Sequence, residues 1–421
     1  MPTSIESAKS RVAPAIAVGL LVLFLFLIWT AGRAGFSTLL SSYAARSRSA
    51  AAADAAVSLA LGDTEAHYLR GAILEAGNDL PGAITEYKEA AARRPADYVL
   101  WLSLARAHEL NGDPNNALAA AREAVQLAPF YAQPHWQLGN MLVRSGQQDA
   151  GFNELRLAGG ADPTLLPAIV DLAWQLSHGN TAVVIQTIQP KTLDAYRALA
   201  ACFKKRGAVM EAISMLRLAG VDAEPDRQSY LKETLAAKRF TEAYALWAIG
   251  QPVNSRDPLG VLIDPGFEQE RNLDEIGFGW RASKVASIAL SLDTNNPKAG
   301  HSSFRVDFSG DSDPATEIIS QLVLVAPNTH YQLRLFARSE ELISGALPRL
   351  VVIDATSKET LGQTTAFAHP ASGWQDYAID FTTRELTTAV EITLQREPCI
   401  KSPCPIFGRL WLDDFTMGTK G

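Results

Sequence analysis

Three cysteines, seven histidines and 45 acidic residues are the raw material for chemistry in this 421-residue chain. Cys399 and Cys404 lie in a short Pro-rich stretch, Glu397-Pro398-Cys399 to Cys404-Pro405. A C-x4-C pair is half of a zinc site, but no second Cys or His pair lies nearby. A local disulfide closing a loop is the favoured reading, and such a bond persists only in an oxidising compartment. Cys202 falls mid-helix among apolar residues and reads as core. His67, His108, His135, His178, His301, His330 and His369 are scattered. A glycosidase needs two carboxylates at a fixed separation, and so many acidic residues always contain some such pair. Gly-x-Ser-x-Gly, His-Glu-x-x-His and a phosphate-cradling glycine loop are all missing from the sequence. The residues therefore argue for a protein that is not an enzyme and has no cofactor of its own.

The elements that carry these residues belong to more than one domain. Hydrophobic residues make up 47% and charged residues 20%, the composition of a folded chain. From Asp257 onward there are 22 acidic and 14 basic residues, so that part carries −8 and the rest +1 of the net −7. An acidic C-terminal part repels phosphate backbones and no basic stripe appears elsewhere, which excludes nucleic acid as a partner. Near the N-terminus, Lys9 and Arg11 precede an uncharged run over residues 12–32, and Arg33 ends it. At about 1.5 Å per residue this run spans the roughly 30 Å hydrocarbon core of a bilayer. It is longer than the apolar region of a cleaved signal peptide, and Trp29 suits an interfacial anchor. An uncleaved single-span anchor in the inner membrane is expected. The flanking basic residues do not settle its orientation, whereas the cysteine pair places the bulk in the periplasm or outside the cell.

Pro95, Pro129 and Pro163 recur at one fixed interval. Counted back from them, Ala83, Ala117 and Gly151 share one position, and Gly71, Ala105 and Gly139 share another. Small residues are needed where two helices of a hairpin touch, and proline ends the second helix. Turn signals at Gly77-Asn78-Asp79, Asn111-Gly112-Asp113-Pro114 and Ser145-Gly146 divide the helices. Residues 166–192 fall about seven short of a full repeat, 193–226 regain the pattern, and 227–250 form a degenerate closing pair. This pattern resembles the tetratricopeptide repeat family, whose units run to about 34 residues. The resemblance covers residues 60–250 and is strongest in the first three units. It implies a groove lined by the first helix of each repeat. Glu65, Tyr68, Glu75, Arg106, Glu109, Gln133, Trp136, Asn140, Asp194, Arg197 and Lys204 hold the groove positions. Tyr68, Arg106, Trp136, Asn140 and Arg197 are the expected anchors for a protein partner, set against the plainer reading that the two aromatics pack between helices. The carboxylate-clamp positions hold Tyr68, Ala72, Ser103, Gln133 and Gln137, which excludes the chaperone-tail ligand class.

After residues 251–259, which read as a linker, the period changes from helical to alternating. Short β-rich runs at 303–308, 331–337, 350–353, 374–381 and 389–395 are separated by turn residues, the pattern of an antiparallel sandwich. Asp264-Pro265-Gly266-Phe267-Glu268, Gly279-Trp280, the run 331–338, Gly373-Trp374-Gln375-Asp376-Tyr377 and the closing run 410–415 together resemble galactose-binding-like, jelly-roll carbohydrate-binding modules. The resemblance implies sugar stacking by some of Trp280, Tyr331, Trp374, Tyr377 and Trp411. Trp280, flanked by glycines, is the expected exposed one. It also implies a structural calcium held by Glu268 with Asp413 or Asp414, since calcium takes hard carboxylate oxygens.

The expected architecture is multidomain: a tail (1–11), a transmembrane helix (12–32), a helical connector (33–59), an all-α repeat solenoid (60–250), a linker (251–259) and an all-β jelly-roll sandwich (260–421). The expected function is a membrane-anchored scaffold for protein–protein interaction in cell-envelope polysaccharide synthesis or export, with protein and polysaccharide as partners. A membrane-tethered carbohydrate-binding protein is the alternative, and a glycan-modifying enzyme the third reading.

Overall fold

The computed structural model describes residues 6–251, 258–269, 273–274, 276–367, 373–399 and 403–420. His369 and most of the expected linker, residues 252–257, lie outside them. The chain forms two compact units, Met1–Cys202 and Phe203–Gly421. The expected linker falls inside the second unit.

The first unit begins with α1 (Glu6–Ser47), one 42-residue helix. Its stretch from Ala17 is long and apolar enough to cross a membrane, a test that an N-terminal signal sequence also meets. From Leu20 to Trp29 every side chain stands more than half exposed. From Ser37 the same helix is packed: Ser37, Ser41 and Ala44 are buried, a spacing of one face per turn. Ser37 Oγ donates to Ala56 O at 3.0 Å, and Arg33 Nε donates to Leu59 O at 3.0 Å, docking α2 (Ala50–Leu59) antiparallel. The residues expected as a connector are thus a helical hairpin, reversed at Arg48 in the left-handed conformation.

Three further hairpins follow, α3 (Thr64–Ala76) with α4 (Leu80–Arg93), α5 (Tyr98–Leu110) with α6 (Pro114–Leu127), and α7 (Ala132–Arg144) with α8 (Gln148–Ala161). First helices start at Thr64, Tyr98 and Ala132, and second helices at Leu80, Pro114 and Gln148, so both series keep the pitch set by the prolines. Local chemistry sets these starts. Asp63 and Asp97 cap their helices by accepting from Glu65 N and Val99 N, and Asp79 and Asp113 accept from Gly82 N and Asn116 N. The small-residue seam joins the two helices of each hairpin. A Cβ on Gly71 would stand 2.8 Å from the Tyr87 ring, and one on Gly139 would stand 2.9 Å from Gly151 O. Then α9 (Leu166–Leu176) and α10 (Thr181–Ile188) form a shorter pair, and α11 (Leu193–Lys205) follows α9 sooner than that pitch would place it. This is the deficit read in the sequence.

The second unit holds α12 (Val209–Ala219), α13 (Glu224–Ala236), α14 (Phe240–Trp247) and a sandwich of two five-stranded antiparallel sheets. The strands are β1 (Arg281–Ala282), β2 (Ile288–Asp293), β3 (Ser303–Asp311), β4 (Ile319–Leu324), β5 (His330–Ser344), β6 (Pro348–Asp354), β7 (Thr360–Gln363), β8 (Gln375–Thr382), β9 (Ala389–Arg396) and β10 (Pro405–Thr419). One sheet runs β1-β4-β9-β6-β7 and the other β2-β3-β10-β5-β8. Alternate residues such as Leu333, Leu335, Leu350, Val352, Leu410 and Leu412 fill the space between them. The last helical pair is seated on the sandwich. Phe278 packs edge-on to Tyr244 with ring centroids 5.0 Å apart and lies 5.8 Å from Trp247, while Lys238 Nζ donates to Thr356 O at 2.6 Å. Gly277, at φ 151°, has room for no Cβ because the Trp247 indole occupies that space.

Candidate functional sites

On the first unit, ion pairs run from one first helix to the next. Arg106 of α5 grips Glu75 of α3 with two hydrogen bonds, at 2.7 and 3.0 Å, and Arg144 of α7 grips Glu109 of α5 at 2.7 and 2.9 Å. Tyr87 of α4 also donates to Glu75, at 2.8 Å. Burial pushes the Tyr87 phenol up, and the Glu75 carboxylate adds to the rise. Tyr68 is half-buried with its ring 5.9 Å from that of Tyr87. Trp136 is half-buried too, and Asn140 spends its Nδ2 on the Trp136 carbonyl at 2.8 Å. Arg197 is half-buried on α11. Of the expected anchors, then, Arg106 is committed to Glu75 and Tyr68 is in part a packing residue.

A regularity passed over at sequence level joins His67, Trp101 and His135, which stand one repeat apart from each other in turn. His67 Nε2 meets Leu61 O at 3.1 Å, Trp101 Nε1 donates to Pro95 O at 2.8 Å, and His135 Nε2 meets Pro129 O at 2.9 Å. Each satisfies the backbone carbonyl six residues earlier, at the repeat junction. Both histidines also meet a carboxylate of the second helix, Glu86 at 2.7 Å and Glu154 at 2.6 Å. Aligning the sequence at its own pitch reveals this set, whereas listing histidines does not.

In the sandwich the opening turn sets the geometry. Asp264 and Phe267 adopt left-handed conformations, and Glu268 N donates to Asp264 Oδ1 at 2.8 Å. This drives Phe267 into an aromatic cluster with Trp280, Phe304 and Phe415. Trp280 is 2% exposed, and its indole N–H donates to Asp264 O at 3.1 Å. The expectation of an exposed, sugar-stacking Trp280 is therefore corrected: both ring faces are core. Tyr331 is likewise buried, and Tyr377 packs edge-on to Phe367.

Glu268 reaches the loop before β3, accepting from His301 N at 2.9 Å. Asp413, fully buried, accepts from Lys298 N at 2.8 Å, Ala299 N at 3.1 Å and Asp414 N at 2.7 Å. Burial pushes the Asp413 carboxyl above its ordinary range, against those three N–H groups, and Asp414 adds to the rise. A Cβ on Gly266 would stand 3.6 Å from Glu268 Oε1 and 3.8 Å from Asp413 Oδ1, so the two carboxylates flank one small space that glycine leaves open. Among the described residues no lysine or arginine pairs with either. Carboxylates around one small space are the ligand type calcium takes, and each of these four oxygens also accepts a backbone N–H. Asp414 does not complete a three-carboxylate cluster among the described residues.

Cys399 and Cys404 are joined by a disulfide. Arg396, 3% exposed, donates to Ala346 O, Ser312 O and Cys404 O at 3.1, 2.7 and 2.7 Å, fastening the ends of three segments around it.

The chain matches no protein-family model and no curated protein sequence. Segments are similar to solved structures. A MamA fragment from Desulfovibrio magneticus RS-1 is 20% identical, covering 32% of this chain and 76% of that one with a TM-score of 0.29. YrrB, described as a TPR protein with an unusual peptide-binding site, is 21% identical, covering 49% and 90% with a TM-score of 0.29. The CBM22-1–GH10 modules of Clostridium thermocellum xylanase Xyn10B, complexed with xylohexaose, are 14% identical, covering 38% and 28% with a TM-score of 0.26. The functional reading rests on this chain's own geometry.

Proposed function

We propose that this chain is a non-enzymatic, membrane-anchored scaffold of the cell envelope. Its helical hairpins hold a protein partner, and its sandwich contacts polysaccharide being made or exported. The observation that carries this reading is the constant pitch of α3–α8, whose first helices are tied in register by Glu75–Arg106 and Glu109–Arg144. An array stiffened in this way offers a surface fixed in spacing, suited to an extended or helical segment of another protein. Trp136 and Asn140 supply aromatic area and an amide oxygen that accepts no hydrogen bond among the described residues. Anchoring is supported by α1, which passes unbroken from its bare apolar stretch into the packed positions Ser37, Ser41 and Ala44. The disulfide favours an extracytoplasmic bulk. Calcium, held by Glu268 and Asp413, would neutralise the buried carboxylate and lock the chain ends of the sandwich.

A photo-crosslinking amino acid at position 140, with a control at Arg122 on α6, tests the scaffold. Capture of envelope-polysaccharide synthesis or export components at position 140 alone supports it. Equal capture at both positions, or none, counts against it. A membrane-tethered carbohydrate-binding protein is the second reading, favoured by Arg338 of the sandwich, whose guanidinium lies over the rings of Trp374 and Trp411, and it predicts glycan binding without any protein partner.

A further inference from the structure

We propose that the outer face of the sheet β2-β3-β10-β5-β8 binds a saccharide bearing a carboxylate, with Arg338 taking the carboxylate and Trp374 the apolar face of the sugar ring. This rests on the glycan reading of the sandwich and names the class of glycan.

Arg334, Phe336, Arg338 and Glu340 alternate with the core residues of β5, and Arg338 lies opposite Trp411 of β10. The Arg338 guanidinium stands 4.2 Å from the Trp411 ring centroid and 5.5 Å from that of Trp374. Both indoles are fixed through their N–H groups, Trp411 to Asp293 Oδ2 at 2.7 Å and Trp374 to Asn296 O at 3.1 Å. The other arginines of this face are spent: Arg305 on Asp307 at 2.7 Å, Arg334 on Asp376, and Arg409 on Asp307 and Glu340 at 3.5 Å. Arg338 makes no hydrogen bond or ion pair with any described residue, and its Nε is buried without a partner. Ring stacking stabilises its charge but satisfies none of its five N–H donors. A planar fork of donors fits a carboxylate in two-point contact. Lys298, with Nζ 4.3 Å from the ring centroid of Phe336, adds a second cation over the outward-facing residue that lies two positions before Arg338 on β5. Unspent cations beside a fixed indole suit an acidic sugar. A neutral one would leave the guanidinium uncompensated.

The test uses the full chain in a polyoxyethylene detergent, which has no sugar headgroup. Calorimetric titration with oligogalacturonate, oligomannuronate and glucuronate-containing oligosaccharides is compared with their methyl esters, which keep the ring faces and lose the charge. At least one acidic series should bind, and both esterification and Arg338→Gln should weaken it tenfold or more. Arg338→Lys, which keeps the charge and removes the fork, should weaken it severalfold. Trp374→Ala should abolish binding where Trp374→Phe preserves it, and Arg334→Gln should change affinity less than twofold. Absence of binding across the panel overturns the proposal, as does displacement of the sugar by polyglutamate at equal affinity. If acid and ester bind alike and Arg338→Gln has no effect, the sandwich is still a glycan module and this inference alone fails.

Discussion

Gly139→Ala tests the packing on which the helical surface depends. The added methyl would stand 2.8 Å from Leu155 Cγ and 2.9 Å from the Gly151 carbonyl oxygen. Leu155 can turn aside, but the carbonyl belongs to the α8 backbone, so α8 must move away as a whole. Alanine in a helix interior is favoured over glycine by about 1 kcal/mol, while overpacking of this kind costs about 1–3 kcal/mol. The balance is a destabilisation of this hairpin of up to roughly 2 kcal/mol. Gly160→Ala, in the same α8 with nothing within 4 Å of the added methyl, lacks the opposing term and should stabilise by about 0.5–1 kcal/mol. Two compact units make a single melting temperature ill-defined, so hydrogen exchange read on peptides of α7 and α8 is the suitable assay. Exchange through opening should speed up by as much as about 30-fold in the first variant and slow in the second. Equal or greater protection in Gly139→Ala would refute the close approach of α7 and α8 at this seam.

Trp280→Ala should destabilise the sandwich by about 3–5 kcal/mol, measured by denaturant titration of sandwich signals, because the indole is core; an unchanged midpoint would contradict its burial. Calcium should raise the sandwich's unfolding temperature and chelation lower it, with Asp413→Asn abolishing the response; indifference to both removes the proposed ion. Without calcium, the raised Asp413 carboxyl stabilises below the ordinary carboxylate pKa of about 3.9 and loses that contribution as pH climbs through its folded value. A pH titration of sandwich stability should therefore lose this downward trend in Asp413→Asn. Peptide mass spectrometry of protein made in the periplasm should find Cys399 linked to Cys404, and two alkylatable thiols there would reopen the orientation. Arg396→Met leaves three carbonyls without their donor and should cost about 3 kcal/mol, read as a shifted urea midpoint.

The helical half was legible because its rule concerns side-chain volume. Gly71, Ala105 and Gly139 recur where a Cβ barely fits or does not, and Asp63, Asp79, Asp97 and Asp113 cap at the same pitch. Strands with one wet face were legible too, such as β8 with its alternating exposure. β4 and β9, buried along nearly their whole length, show no such alternation, and of the two only the run of β9 was read in the sequence. The sandwich sites were harder. Glycines beside Trp280 suggested exposure, but the direction of its ring is set by Asp264 and Phe267 in a left-handed turn, a matter of tertiary contact. Arg338 stands out only by subtraction, once the carboxylates that claim Arg305, Arg334 and Arg409 are located. Glu268 and Asp413 lie far apart in sequence and meet only through the loop before β3.

The seating of Phe278 against Tyr244 and Trp247 bears on how this protein is taken apart. A cut through residues 251–259, where composition invites one, would strip the sandwich of its helical buttress and leave Phe278 bare to solvent. Fragments that begin near Phe203 keep the aromatic joint whole. Because Gly277 admits the indole edge so closely, any side chain at that position would push Trp247 out of the joint and part the closing helices from the strands.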